Sequence, residues 1–177
     1  PAVLDALFAA RARLDAPPPR AELAGLLSGD DPAMRATAVR ALARLDDPDA
    51  LAEVGRLATS DKEASVRAAA VEALGATHRP TVLPVLARTF DDPSRDVMQK
   101  SARAMIEIGG PATDDTLLRL ALKAGSSDTQ RYAALVLLVT HGRDSPVVRQ
   151  LEALNPSPEV RSVLEHGLEF HDTHHHE

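Results

Sequence analysis

Between Pro32 and Leu45 the apolar residues Met34, Ala38, Ala41, Leu42 and Leu45 fall at i, i+4, i+7, i+8 and i+11, one face of a 3.6-residue period. A second stretch follows with Leu51, Val54, Leu57 and Ala58 on its buried side. The same alternation of apolar face and polar face continues down the chain, and no stretch shows the period-two run of a strand. The pattern therefore predicts an all-α protein. Between the helices the chain repeats Asp-Asp-Pro, at Asp30-Asp31-Pro32, Asp46-Asp47-Pro48 and Asp91-Asp92-Pro93. An aspartate at the N-cap accepts a hydrogen bond from a free backbone N–H, and proline suits the first helical position because its missing N–H has no partner there. The triplets are expected to start helices, not to work as paired catalytic or metal-binding carboxylates.

The helices recur at a fixed period. "SVRAAAVEALG", residues 65 to 75, has an anchor at Val66 followed by Ala70 and Leu74. Matching sets are Met34, Ala38, Leu42; Val97, Ser101, Met105; Thr129, Ala133, Leu137; and Val160, Leu164, Leu168. The anchors are spaced by 32, 31, 32 and 31 residues. Each unit holds an A helix with the anchor pattern and a B helix starting near Arg20, Pro48, Pro80, Thr113 or Pro146. Gly75, Gly109 and Gly142 are expected just past the ends of A helices, as left-handed caps. The weaker pattern from Val3 to Leu14 extends the register by one unit, and "APPPR" at 16 to 20 reads as a stiff turn within it. "YAALVLLV", residues 132 to 139, is apolar nearly all round and is expected to be buried on two sides. A helix pair cannot bury its apolar faces alone, so the units are expected to stack into a right-handed α-solenoid of five to six two-helix repeats. The expected organisation is a single domain over 1–170, with units of approximately 1–29, 30–59, 60–90, 91–124, 125–155 and 156–170, then a His-rich tail at 171–177.

These units resemble HEAT repeats of the short, about 30-residue kind found in phycobilin lyase subunits and many bacterial proteins. The resemblance rests on "DPAMRATAVRALARLDDPDALAEVGRLA" and "SDKEASVRAAAVEALGATHRPTVLPVLARTF" and covers about residues 20 to 168. It implies that an arginine after the anchor ties neighbouring repeats together. Arg35, Arg67 and Arg161 match that place, while Met98 and Gln130 depart from it. It also implies that the B helices line an inner, concave surface.

Composition narrows the chemistry. Cysteine is absent, which removes disulfides, thiol nucleophiles and Cys-ligated zinc. The formal charge of −6 and the lack of Trp argue against nucleic-acid binding, which needs dense Lys and Arg. No apolar run approaches the roughly 20 residues of a membrane span, and there is no signal-peptide pattern, so a cytoplasmic location is the expectation. Only Lys62, Lys100 and Lys123 are lysines among 20 basic residues, an arginine bias that a GC-rich bacterial genome would produce. The resemblance brings enzymes to mind, and their motifs are missing. HEAT-like deoxyhypusine hydroxylases carry His-Glu pairs in their A helices, whereas the only such dipeptide here is His176-Glu177. HEAT-like DNA glycosylases use tryptophans and a basic groove. No cofactor is expected, and the alternative function is a lyase-like enzyme subunit or chaperone handling a cofactor on a client protein. In "HDTHHHE", a continuing helix would place His171, His174 and His175 on one face at a spacing that binds Zn or Ni; the competing reading is a solvated tail.

One constellation remains. "EVGRLA", "VLARTF", "LLRLAL" and "VVRQLE" align Arg56, Arg88, Arg119 and Arg149 at spacings of 32, 31 and 30, with Lys123 one turn beyond Arg119. Adjacent helices pack about 10 Å apart, so such residues would line up along one surface. Guanidinium groups pair with carboxylates in a two-pronged fashion, so the expected partner is another protein presenting an acidic or extended segment. The competing reading is that these are ordinary exposed helix positions, partly neutralised by Glu53, Asp115 and Glu152.

Overall fold

The structure, a computed structural model, describes residues 20–45, 47–123 and 126–167. All regular structure among them is helical. The chain divides into two compact units, Pro1–Glu107 and Ile108–Glu177. The first contains α1 (Arg20–Leu27), α2 (Pro32–Ala43), α3 (Pro48–Ser60), α4 (Ala64–Gly75), α5 (Leu83–Thr89, entered through a 3₁₀ turn at Pro80–Val82) and α6 (Arg95–Ile108, which ends at the boundary). The second contains α7 (Pro111–Leu122), α8 (Ser127–His141), α9 (Pro146–Ala153) and α10 (Pro158–His166). The A helices of the repeat are α2, α4, α6, α8 and α10; the others are B helices.

The anchor pattern is the core. Val66, Val97 and Val160 are fully buried, as are Ala38, Ala70, Ser101 and Ala133 one turn on, and Leu42, Met105 and Leu137 one turn further. Most of "YAALVLLV" is buried or half-buried within α8, and only Val139 at its end stands out at 60% exposure. Leu168, the Val3–Leu14 stretch and "APPPR" up to Pro19 lie outside the described residues.

Two of the three Asp-Asp-Pro triplets start helices as expected. The Asp31 carboxylate accepts from Ala33 N–H and that of Asp47 from Asp49 N–H, each with proline at the first helical position. The third does not. Helix α6 begins at Arg95, two residues before its anchor as α2 and α4 do, and the triplet lies two residues too early, so that Ser94 holds the cap slot. Asp92 instead occupies the place that Asp61 holds one repeat earlier, five residues before the anchor. One start and one end also differ from expectation. The fourth B helix begins at Pro111, where Gly110 takes the N-cap with φ of 79°, and not at Thr113. Gly75 is no left-handed cap: it is the last residue of α4, followed by Ala76 in right-handed conformation, and an added Cβ would lie 2.6 Å from that of Ala104. Its function is close approach of α4 to α6. Gly109 and Gly142, by contrast, have φ of 61° and 80° and end their helices as expected.

The residue after the anchor ties successive repeats. In the first unit Arg35 grips Asp61 with two hydrogen bonds, 2.9 and 3.0 Å, and donates to the Gly29 carbonyl at 2.8 Å. Arg67 repeats this with Asp92 at 2.8 and 2.9 Å and with the Asp61 carbonyl at 2.8 Å. These are buried pairs, with side-chain exposures of 6% and 4% for the first and 13% and 8% for the second. Each aspartate also accepts from a backbone N–H two residues on, Glu63 or Ser94. Burial pushes the Asp61 and Asp92 carboxyls up, but hydrogen bonds from the arginines and the backbone, with the guanidinium charges, outweigh it and hold both below the ordinary carboxylate range. In the second unit Gln130 takes the arginine's place. Its Nε2 donates to the Lys123 carbonyl, and its Oε1 accepts from Ser157 Oγ at 3.1 Å. Arg161 is exposed and, among the described residues, its side chain reaches Asn155 Oδ1 at 3.5 Å and no carboxylate.

Candidate functional site

The B-helix arginines are all exposed, each flanked by buried apolar residues: Val54 and Leu57 around Arg56, Leu86 and Phe90 around Arg88, Leu117 and Leu120 around Arg119. A helix that buries one stripe leaves such positions in solvent. Arg56 and Arg88 lie in the first unit, and neither forms an ion pair among the described residues. In the second unit Arg119 folds back on its own helix, donating to the Asp115 carbonyl and to Thr116 Oγ1 at 3.3 Å each. Arg149 meets Asp144 at 3.6 Å, with both side chains largely exposed. Lys123 is exposed at the end of α7. Of the three acids weighed as neutralising neighbours, only Asp115 touches the set, and through its backbone carbonyl.

Their registers differ at one place. Arg56 and Arg119 are the ninth residues of α3 and α7, and Arg88 is the ninth counted from Pro80. Arg149 is the fourth residue of the short helix α9. The residue 22 positions past the anchor, where the other three arginines stand, is there Leu151, which is fully buried. Arg149 therefore belongs to the first turn of its helix.

A second feature lies on the A helices of the first unit. A groove of about 760 Å³ runs over α2, α4 and α6, its lining including Ala43, Ala73, Ala76 and the buried Ala104. Its rim holds five cations, Arg40, Arg44, Arg79, Lys100 and Arg103, against two carboxylates, Glu72 and Glu107. Both acids are engaged, Glu72 with Lys100 at 3.4 Å and Glu107 with Arg103 at 2.8 Å, and Lys100 also meets Asp96, outside the lining, at 3.4 Å. Arg40 in the last turn of α2 and Arg44 at its C-cap are exposed and form no ion pair among the described residues. Sequence reasoning did not single out this groove. The residues six past each anchor are Arg40, Glu72 and Arg103, and those ten past are Arg44, Ala76 and Glu107. Neither row keeps one sign, so a search for same-sign repeats passes over it.

The described residues contain no group of three or more His, Asp or Glu side chains placed to hold a metal ion. His171, His174 and His175 lie outside them. None of the helices in the described residues is long and apolar enough to cross a membrane.

A model of HEAT repeats matches the chain over residues 2–75, 18–107 and 54–138. The chain belongs to the HEAT-repeat family. This agrees with the ~31-residue spacing of buried anchors and with the Arg35–Asp61 and Arg67–Asp92 ties between successive repeats. The fold is thus an all-α solenoid of HEAT repeats, a class that generally serves as a protein-interaction scaffold and is typically non-catalytic. No curated protein matches the chain.

Proposed function

We propose that this HEAT-repeat chain is a non-catalytic scaffold or adaptor that holds an acidic or extended segment of a partner protein on its B helices. The observation that carries the reading is the state of Arg56 and Arg88: exposed, flanked by buried residues that fix their helices, and free of ion pairs among the described residues. An unpaired guanidinium on a rigid helix is ready to accept a carboxylate in two-pronged geometry without first breaking another contact. Arg119, Arg149 and Lys123 are the second unit's members of the proposed set. The Arg149–Asp144 pair is an exposed contact of the kind worth little, so a partner's carboxylate displaces it readily.

The test is capture of partners from lysate by the wild-type chain and by a variant with Arg56, Arg88, Arg119 and Arg149 changed to Glu, both checked for retained helicity. A partner held by the wild type and lost by the variant supports the B-helix surface. A partner held equally by both removes that surface and leaves the scaffold. A small molecule co-purifying at stoichiometric occupancy, with no protein partner, would overturn the scaffold in favour of a lyase-like subunit.

A further inference from the structure

We infer that the groove over α2, α4 and α6 is a second binding surface, made for a carboxylate-rich extended segment of a protein. The inference stands on a different surface from the B-helix reading and does not depend on it. It begins with charge. The chain carries a formal −6, yet the groove sets five cations against two carboxylates, and both carboxylates are already paired within it. The sign of the surface is thus inverted over one concave stretch. A cleft lined by one sign concentrates ligands of the other and steers their approach.

Shape supplies the second argument. The apolar lining is alanine, with Ala43, Ala73 and Ala104 contributed by three successive A helices. Small side chains there leave room for a ligand backbone to lie close to the helices. Gly75 sets how near α4 and α6 come, since its missing Cβ admits Ala104 of the groove lining. Arg40 and Arg44 stand at the C-terminal end of α2, with Lys100, paired with Glu72 and Asp96, and Arg103, paired with Glu107, on α6. An extended strand in the groove would meet cationic groups on both walls, and those of Arg40 and Arg44 need break no ion pair among the described residues. Nucleic acid fits less well, because the −6 of the whole chain opposes a long polyanion beyond the groove, whereas a short acidic segment ends within it.

The test is fluorescence anisotropy of the full chain with a fluorescein-labelled peptide of alternating glutamate and serine. A labelled oligothymidylate of matched charge is titrated in parallel. The wild type is expected to bind the peptide saturably and more tightly than the oligonucleotide. R40E/R44E should weaken the peptide roughly tenfold, equivalent to ~1.4 kcal/mol. Ala76→Trp, which fills the groove and leaves every charge in place, should weaken it as well. R56E/R88E should leave it within about twofold, a difference too small to count as a lost contact. No saturable binding by the wild type, or equal affinity in R40E/R44E, overturns the inference. So does preference for the oligonucleotide, or Ala76→Trp binding like the wild type. Loss in R56E/R88E with retention in R40E/R44E would sink the groove and support the B-helix surface. Equal loss in both would reduce the binding to general electrostatics, which also overturns it.

Discussion

The tie between successive HEAT repeats is built of charge in the first unit and of neutral groups in the second. Arg35 and Arg67 each clamp an aspartate five residues before the next anchor and a carbonyl six residues back; Gln130 donates its amide to a carbonyl seven residues back and meets a serine hydroxyl three residues before the next anchor. The place after the anchor is used in both units, but with different chemistry and with partners at different register positions. A buried ion pair makes no stronger net contribution than a well-packed neutral one, since desolvation opposes the attraction, but it penalises loss of one partner far more. The first unit's ties are therefore brittle towards mutation and acid, and the second unit's tie is tolerant.

The largest expected effect breaks one of the charged ties. Asp92→Ala strands the Arg67 guanidinium and frees the Ser94 N–H, and should lower stability by about 3 kcal/mol, read from urea unfolding. Asp61→Ala should cost at least as much, because that pair is the more buried. If either behaves like Ser157→Ala in the second unit, the contrast between units is wrong.

Packing within the first unit comes next. Gly75→Ala places a methyl 2.6 Å from the Ala104 Cβ and 3.2 Å from its Cα, so the helices must part, at a cost of about 1–3 kcal/mol. Gly55→Ala is the control. There the new methyl meets a Val85 side-chain methyl at 3.1 Å, which can rotate away, and alanine's better helix propensity of ~1 kcal/mol offsets the crowding. Thermal melts should separate the two substitutions clearly.

Acid sharpens the comparison further. The folded Asp61 and Asp92 carboxyls titrate below their unfolded values, so their contribution is fully present above pH ~4 and is lost as pH falls through the folded values. Wild-type stability should drop on descent from pH 6 to pH 3, roughly across that range. A D61N/D92N variant, weaker at the outset, should drop less. Parallel curves would mean that these two carboxylates do not set the acid response.

The smallest effect lies in the second unit. Ser157→Ala removes one hydrogen bond to Gln130 and a long cap contact to Val160 N–H, together worth about 1 kcal/mol. Hydrogen exchange confined to α8 and α10 is the readout, with α2 and α4 unaffected.

Much of this was legible from local pattern. The period of the anchors foretold which residues are buried, since a helix that packs on both neighbours must present the same apolar face in every repeat. Arg35 and Arg67 after their anchors marked the two charged ties, Arg161 forms no such ion pair among the described residues, and Met98 and Gln130 marked the departures. What the pattern misread were positions where two local rules compete. Asp-Asp-Pro at 91–93 has the composition of a helix start, but Ser94 holds the cap slot and Arg67 claims Asp92. Gly75 has the composition of a cap, but the neighbouring helix needs its missing Cβ.

By itself, then, the sequence determined the helices, their repeat length and the all-α solenoid class, because these follow from periodicity and capping within about a dozen residues of chain. It also marked the B-helix arginines, whose sign repeats with the units. The tertiary structure decided which aspartate each buried arginine grips, how closely α4 meets α6, and that Arg40 and Arg44 join Lys100 and Arg103 around one groove. Those outcomes depend on distances between residues 25 or more positions apart, which periodicity does not encode.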